Sequence, residues 1–430
     1  MSTLTVGTGQ QYTTLASAIG ASHDGDLLQV QAGTYTNDFA TINTRITIQG
    51  VGGMAKFVAT TAIPNGKAIL ITNADVTIDH LEFAGATVTD GNGAGIRYQA
   101  GKLAVTNSYF HDNQNGILGA ASAGGTISIS TSEFSHNGSG TGYTHNIYVG
   151  DIASLTIDHS YFHDAVVGHE IKSRAETTTI TNSRIQDGPA GTASYSIDLP
   201  NAGNATIQNN VIEQGPNSQN PAIIAYGEEG GVYSGSALLV SGNTVLNDLA
   251  SSSASAVWNA TSTVSASVTG NSFYGLSSSQ ILKGPGTVSG STMLTSEPAL
   301  DTSSPITSST VAPITSTLVL NMSEDAYKGD AQFIVKIDGM QLGGIYTTSA
   351  SHSAGQSQAF TFTGITETFS PHDIAISYIN DAWGRGAHAD RNLYVNSMQF
   401  DTQAVAGTPA AFYTTSTQHF TATAPANWTG

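Results

Sequence analysis

An all-β fold is predicted, and three observations carry the prediction. Charged residues make up 10% of the chain, against about 25% in an ordinary soluble domain. The polar load falls instead on Ser, Thr, Asn and 47 Gly, which suit strand faces and turns better than helix surfaces. No long segment carries an apolar period of 3.6. A short alternating phrase recurs eight times between residues 77 and 273, and stacked parallel coils account for it best.

The phrase runs Thr77-Ile78-Asp79-His80-Leu81-Glu82-Phe83, then Val105-Thr106-Asn107-Ser108-Tyr109-Phe110, Ile129-Ser130-Thr131-Ser132-Glu133-Phe134 and Ile157-Asp158-His159-Ser160-Tyr161-Phe162. Weaker copies end at Ile185, Ile212, Val245 and Phe273, so successive spacings are 27, 24, 28, 23, 27, 33 and 28. Apolar–polar alternation marks a strand with one buried face. Units that cannot bury that face alone must stack. Asn107, Asn182 and Asn209 share one slot, and Asn210, Asn243 and Asn271 the next, where polar turn residues sit. A right-handed parallel β-helix fits this spacing. The N-terminal stretch, Thr5-Val6-Gly7, Tyr12-Thr13-Thr14-Leu15, Ala18-Ile19, Asp26-Leu27-Leu28-Gln29-Val30 and Gly33-Thr34-Tyr35, resembles the cap and first coil of the pectin-lyase-like β-helix superfamily. That resemblance covers roughly residues 3–290 and implies fold alone, because one fold hosts many chemistries.

A second strand follows each phrase, aligned on Ile96, Ile117, Ile147, Ile171, Ile197, Ile224 and Val257. If these point inward, the next residues point outward and stand about 4.8 Å apart from coil to coil: Arg97, Leu118, Tyr148, Lys172, Asp198, Ala225 and Trp258. The residues one earlier, among them Asn146 and Glu170, are read as outward too. The chain has 13 Lys and Arg, yet Lys172 and Arg174 lie two apart on one strand face, beside Tyr148, Asp198 and Glu170. His145 and His169 occupy equivalent positions in adjacent coils. With Glu170 they also form a candidate metal set. His111-Asp112 and His163-Asp164 read as turn residues.

Tyr148, Lys172, Arg174, His145, His169, Glu170 and Asp198 are therefore the candidate catalytic residues, with Arg97, Asn146 and Trp258 as candidate substrate contacts. Two reaction types compete. Lysis of a uronic-acid polymer needs a cation to neutralise the carboxylate and a base for the C5 proton. Arg174 suits the first role, and Lys172, with its pKa depressed by Arg174, the second; Tyr148 or a histidine also serves as base or acid. Hydrolysis needs two carboxylates flanking the bond, read here as Glu170 and Asp198, with Glu228 and Glu229 extending the site. β-Helix lyases that look similar place Lys and Arg on one outer sheet face, which favours elimination. The Gly-Arg-Pro-Trp signature of pectin methylesterases and the Asp-Pro-His motif of uronate C5-epimerases are absent. Epimerisation starts with the same proton abstraction and stays a close relative of the lyase reading. A non-catalytic adhesin or biofilm-matrix protein is the third class.

Residues 297–317 crowd Ser, Thr and Pro without periodicity and read as a linker between a β-helix over 1–296 and a second domain over 318–430. That domain contains Asn380-Asp381-Ala382-Trp383-Gly384 and Asp390-Arg391-Asn392-Leu393-Tyr394-Val395. These segments resemble the calcium-dependent xylan-binding carbohydrate modules, small β-sandwiches. The resemblance implies a Ca2+ ion held by Asp381, the Trp383 carbonyl and Asp390, with open positions for vicinal sugar hydroxyls. It implies a second, structural calcium at Glu324, Asp325 and Asp330, and Trp383 as a sugar contact. The pair after the aromatic is Gly384-Arg385 here, which departs from the family's glycine pair. Phe412, Tyr413, Phe420 and Trp428 suggest that the tail packs as an extra strand.

A net charge of −18 leaves no basic footprint for nucleic acid. Zero cysteine excludes disulfides and thiolate sites, and no apolar run of about 18 residues spans a membrane. The expectation is a secreted protein, with no signal peptide visible at its start, acting on a plant cell-wall polysaccharide or a bacterial exopolysaccharide.

Overall fold

The computed structural model describes residues 2–308, 315–337, 339–366, 372–385, 389–401 and 403–422. Two compact units divide the chain, Met1–Leu4 with Thr14–Val311 and Thr5–Thr13 with Ala312–Gly430. In the first unit each phrase is two short strands bent at one left-handed residue. Val76–Asp79 and Leu81–Ala84 flank His80 (φ 55), and Thr177–Thr181 and Arg184–Gln186 follow the same plan with Asn182 (φ 50). Asn107 (φ 45) and Asn209 (φ 58) occupy the same corner. Asn tolerates this conformation better than most side chains. Asp112 (φ 54) and Asp164 (φ 52) take a second left-handed corner after the phrase, whereas His111 and His163 are the last residues of the strands that precede it.

The residue after the first corner points inward and links coil to coil. Asn210 Nδ2 donates to Asn243 Oδ1 and Asn243 Nδ2 to Asn271 Oδ1, both at 3.0 Å. Inward phrase residues stack as rings: Phe83 on Phe110 at 5.0 Å, Phe110 on Phe134 at 4.6 Å and Phe134 on Phe162 at 4.5 Å. This is how a chain with few charges satisfies its buried polar groups: repeated short amides replace salt bridges. Asn243 is 1% exposed and also donates to the Ile207 carbonyl. Asn243→Ala strands partners on both sides and is expected to lower the unfolding free energy by about 1–3 kcal/mol, measured by urea denaturation.

The second strands form one ten-stranded parallel sheet. Its register pairs Ile96 with Ile117, then Ile147, Ile171, Ile197, Ile224 and Val257 in turn. Arg97, Leu118, Tyr148, Lys172, Asp198, Ala225 and Trp258 pair in the adjacent column, continued by Lys283. Within 297–308 the chain lies along the phrase face: Arg184 Nη1 donates to the Asp301 carbonyl at 2.8 Å and Thr307 Oγ1 to Asn107 Oδ1 at 2.8 Å.

In the second unit, two antiparallel sheets share one core. The order is Gln358–Thr366, Thr315–Asp325, Asn392–Phe400 and Gln403–Ala404 in one sheet, with Ala410–Phe412 also on Asn392–Phe400. The other runs Met340–Gln341, Ala331–Ile337, His372–Tyr378 and Ser416–Ala422. Leu320, Phe333, Ile376, Val395 and Phe400 fill the space between them. Phe412 and Phe420 join this core, so both tail segments pack as strands, whereas Tyr413 is exposed. Trp428 lies outside the described residues. Among the described residues no helix is long and apolar enough to cross a membrane.

Candidate active site

The outward column of the ten-stranded sheet borders a cleft of ≈ 800 Å³ lined by Arg97, Tyr143, His145, Tyr148, Lys172, Arg174 and Glu229, among others. Its lower part is covered by a turn. After Ala222–Tyr226, Gly227 (φ 78) and Gly230 (φ 75) fold the chain back, and the Glu229 amide donates to the Pro200 carbonyl. Gly227 and Gly230 reach this conformation without steric cost. The turn brings Glu228 and Glu229 over Lys172 and Asp198.

Lys172 Nζ sits 2.6 Å from Asp198 Oδ2 and 2.9 Å from Glu229 Oε1. Burial alone would lower its pKa, but these two carboxylates push it above the ordinary lysine value. Lys172 is thus a fixed ammonium and not the base expected from a neighbouring arginine. Arg174 is equally engaged: Nε donates to Tyr148 Oη at 3.0 Å, Nη1 to Asn201 Oδ1 at 2.7 Å, and Nη2 to Glu229. Burial would raise Glu229, yet the Arg174 and Lys172 bonds hold it below its ordinary value. Burial and a hydrogen bond to Asp198 push Glu228 up to about 8. Asp198, Glu228 and Glu229 place carboxylate oxygens within 4.8 Å of one another.

Arg97 differs from the other two cations. It makes no ion pair with a described carboxylate, and its buried Nε has no hydrogen-bond partner. Tyr148 accepts from Arg174, and no described residue accepts its own proton. The cleft therefore offers one uncommitted guanidinium and one free phenolic donor.

Other expected site residues lie elsewhere. Glu170 and Asn146 are fully buried and turned inward: Asn146 Nδ2 donates to Glu170, whose Oε1 accepts from the Ala165 amide at 2.9 Å. Both precede the first strand residue, Ile147 or Ile171, so strand alternation does not govern them. This removes the Glu170/Asp198 pair as flanking carboxylates on one outer face, and Asn146 as a substrate contact.

His145 and His169 face each other, Nδ1 to Nδ1, at 2.9 Å. His169 Nε2 is 3.3 Å from Asp198. Burial, with Lys172 and Arg174 nearby, holds His145 down at about 3, and burial lowers His169 well below its ordinary value. His145 Nδ1 accepts the His169 amide at 3.1 Å, which places its own proton on Nε2, so it is a donor rather than a base. With Glu170 turned inward, His145, His169 and Glu170 do not converge on a metal. Trp258 lies beyond Asp198 in the column, and its ring is covered by Lys283 Nζ at 5.1 Å from the centroid. Tyr143 was not reached by the column reading, because it sits in a loop before the strand.

In the second unit, Trp383 is 73% exposed and bridges to Asp390. Asp381 Oδ1 is buried without a hydrogen-bond partner, which fits a cation ligand and is costly otherwise. Glu324 and Asp325 alternate to opposite faces. Burial, with Asp330 beside it, pushes Glu324 up to about 7, while Asp325 accepts from Tyr394 Oη at 2.6 Å. Strand geometry thus separates Asp325 from the expected Glu324/Asp330 set.

Residues 44–212 match the family described as right-handed β-helix region, and residues 317–415 match the Ca-dependent carbohydrate-binding module, xylan-binding. None of the curated proteins is significantly similar in sequence. Among solved structures, pectate lyase Pel9A is similar at 15% identity, over 68% of this chain and 79% of that chain, with a TM-score of 0.43. The ORF18 protein of Geobacillus virus E2 aligns at 12% identity, over 99% of this chain and 79% of that one, with a TM-score of 0.47. The Streptococcus pneumoniae surface protein and adhesin PfbA aligns at 11%, over 67% and 95%, with a TM-score of 0.37. The chain joins a right-handed parallel β-helix to a C-terminal antiparallel β-domain whose residues 317–415 match the xylan-binding carbohydrate-module family.

Proposed function

We propose that the chain is a secreted polysaccharide-active protein whose β-helix cleaves a uronate-bearing polymer by β-elimination. The observation that carries this reading is the unpartnered Arg97 guanidinium in the same cleft as the free Tyr148 donor. Arg97 and Tyr148 are two coils apart in register, about 10 Å by strand spacing, enough for a sugar ring between them. The uronate carboxylate pairs with Arg97, which acidifies the C5 proton. Once its own proton has passed to solvent, the Tyr148 oxygen, held by the Arg174 guanidinium, takes the C5 proton and passes it to the leaving glycosidic oxygen. The C4–O bond breaks as the C4–C5 double bond forms. Lys172 and Arg174 do not grip the substrate, since Asp198 and Glu229 already neutralise them.

The protein as a whole is acidic, at −18, so an anionic polymer needs a local cation within a Debye length of about 8 Å. Arg97 supplies one. Incubation with a panel of uronate polymers should release unsaturated products with their characteristic ultraviolet absorbance. New reducing ends without that absorbance sink the lyase reading and favour hydrolysis. The geometry behind hydrolysis is the cluster of Glu228, whose pKa burial and Asp198 push up, with Asp198 and Glu229. Against it, Glu229 is the one member of the three that lines the cleft, whereas hydrolysis needs two carboxyl groups flanking the bond.

For the second unit we propose calcium-dependent sugar binding. Asp381, Asp390 and the Trp383 carbonyl would hold the ion, which supplies Lewis-acid contacts to vicinal hydroxyls. Trp383 packs against the ring. Asp381→Ala should abolish chelator-sensitive retention on xylan or on the uronate polymer; retention that survives both chelator and this substitution sinks the proposal.

A further inference from the structure

We propose that Tyr143 is a sugar-stacking platform that forms a second subsite of the cleft, holding a pyranose ring next to the one whose carboxylate meets Arg97. The inference rests on the functional reading above and extends it to the geometry of the substrate. Tyr143 is 88% exposed, the most exposed large hydrophobic side chain among the described residues. A single exposed apolar residue needs no explanation by itself; this one borders a concave cleft together with Arg97, Tyr148 and His145.

Its support is rigid. The residue next to it, Thr144, is 1% exposed. Thr144 Oγ1 accepts from the Ser139 amide at 2.9 Å and donates to the Thr141 carbonyl at 3.2 Å, closing the loop. The His145 amide then donates to Asn115 Oδ1 at 3.0 Å. Gly138 lets the loop leave the coil: a Cβ there would lie 2.2 Å from the Val166 carbonyl oxygen. The loop thus holds a ring at the cleft edge while its face stays solvated.

A phenol ring in this position suits the C–H face of a pyranose, which is apolar, while the sugar's hydroxyls stay in water. The column below supplies polar contacts and charge. The ligand class is therefore an oligosaccharide of at least two pyranose residues, one of them carrying a carboxylate.

The test compares Tyr143→Ala, Tyr143→Phe and the parent full-length chain on a uronate polymer, and by titration with uronate oligosaccharides in chelator, which silences the calcium module. Tyr143→Ala is expected to raise KM about tenfold while kcat changes far less, as for loss of uniform binding. Tyr143→Phe should restore KM, since the ring and not the hydroxyl does the binding. Unchanged thermal stability of Tyr143→Ala excludes a folding explanation. If the parent cleaves and Tyr143→Ala leaves KM unaltered, the platform is overturned and the lyase reading survives. If nothing is cleaved but Tyr143→Ala still weakens oligosaccharide titration, the lyase reading fails and the platform stands. Neither cleavage nor a change in titration overturns both.

Discussion

Tyr148→Phe is expected to lower kcat on a cleavable uronate polymer by about 100- to 10,000-fold, the range for loss of a positioned proton-transfer group, with KM little altered. The ring stays in its column, stacked on His145 at 5.8 Å, so packing is preserved and the hydroxyl alone is lost. Arg97→Ala should fall as far in kcat/KM, because an unneutralised carboxylate leaves the C5 proton too weakly acidic to abstract. Arg97→Lys keeps the charge but loses the bidentate fork and should recover part of the loss. Arg174→Leu should also reduce kcat, by releasing Tyr148 Oη and Glu229 together. Single-turnover rates across this series decide the matter. A Tyr148→Phe variant with parental kcat removes tyrosine from the mechanism and points to the Glu228/Glu229 turn.

The outward column was legible because strand periodicity is rigid: once Ile147, Ile171 and Ile197 are aligned, Tyr148, Lys172 and Asp198 follow. The same rule failed one residue earlier. Asn146 and Glu170 stand at the coil corner, where the side chain's direction is set by turn dihedrals and by interior hydrogen bonds. The direction of the Lys172 shift was equally hidden. Sequence placed Arg174 two residues away, but the groups that control Lys172 are Asp198 on the next coil and Glu229, 57 residues downstream. Glu228 and Glu229 were visible as residues following a strand, while the glycine turn that folds them over the column has no periodic signal. Tyr143 lies in a loop with no register at all. The candidate calcium loops are legible as local motifs, and the alternation of Glu324 and Asp325 along their strand separates those two side chains on sequence grounds alone.

Stability is expected to fall as pH rises from about 5 to about 8, opposite to the trend of a protein held together by carboxylate salt bridges. The cause is a set of buried carboxyls inside the coil corners. Burial pushes Glu213 up to about 7, with Asp187 and Asp248 adding repulsion, and Asp187 up to about 6. Burial raises Glu170 well above its ordinary value too. These groups bind protons more tightly folded than unfolded. Their contribution is fully present below their ordinary values near 4 and is lost as pH rises through 6 and 7. For Glu213, which is 1% exposed, the gap between 4.5 and about 7 corresponds to roughly 3 kcal/mol.

His163 acts in the same direction at higher pH. Burial opposes its charge, but Asp164 and Glu133 hold it up at about 9, so its contribution is lost as pH rises through that value. At the acid end, Glu82 and Glu133, both held below their ordinary values, lose their partners' support on protonation. The stability maximum should therefore lie near pH 5, between the two groups. Glu213→Gln keeps an oxygen for the Gly188 amide, which Glu213 Oε2 accepts at 2.7 Å, and cannot ionise. Its urea midpoint should match the parent near pH 5 and exceed it near pH 8. A parent chain more stable near pH 8 than near pH 5, or a variant with the parent's pH slope, means that the interior carboxyls ionise without penalty. In that case a cation or water column inside the coils compensates them.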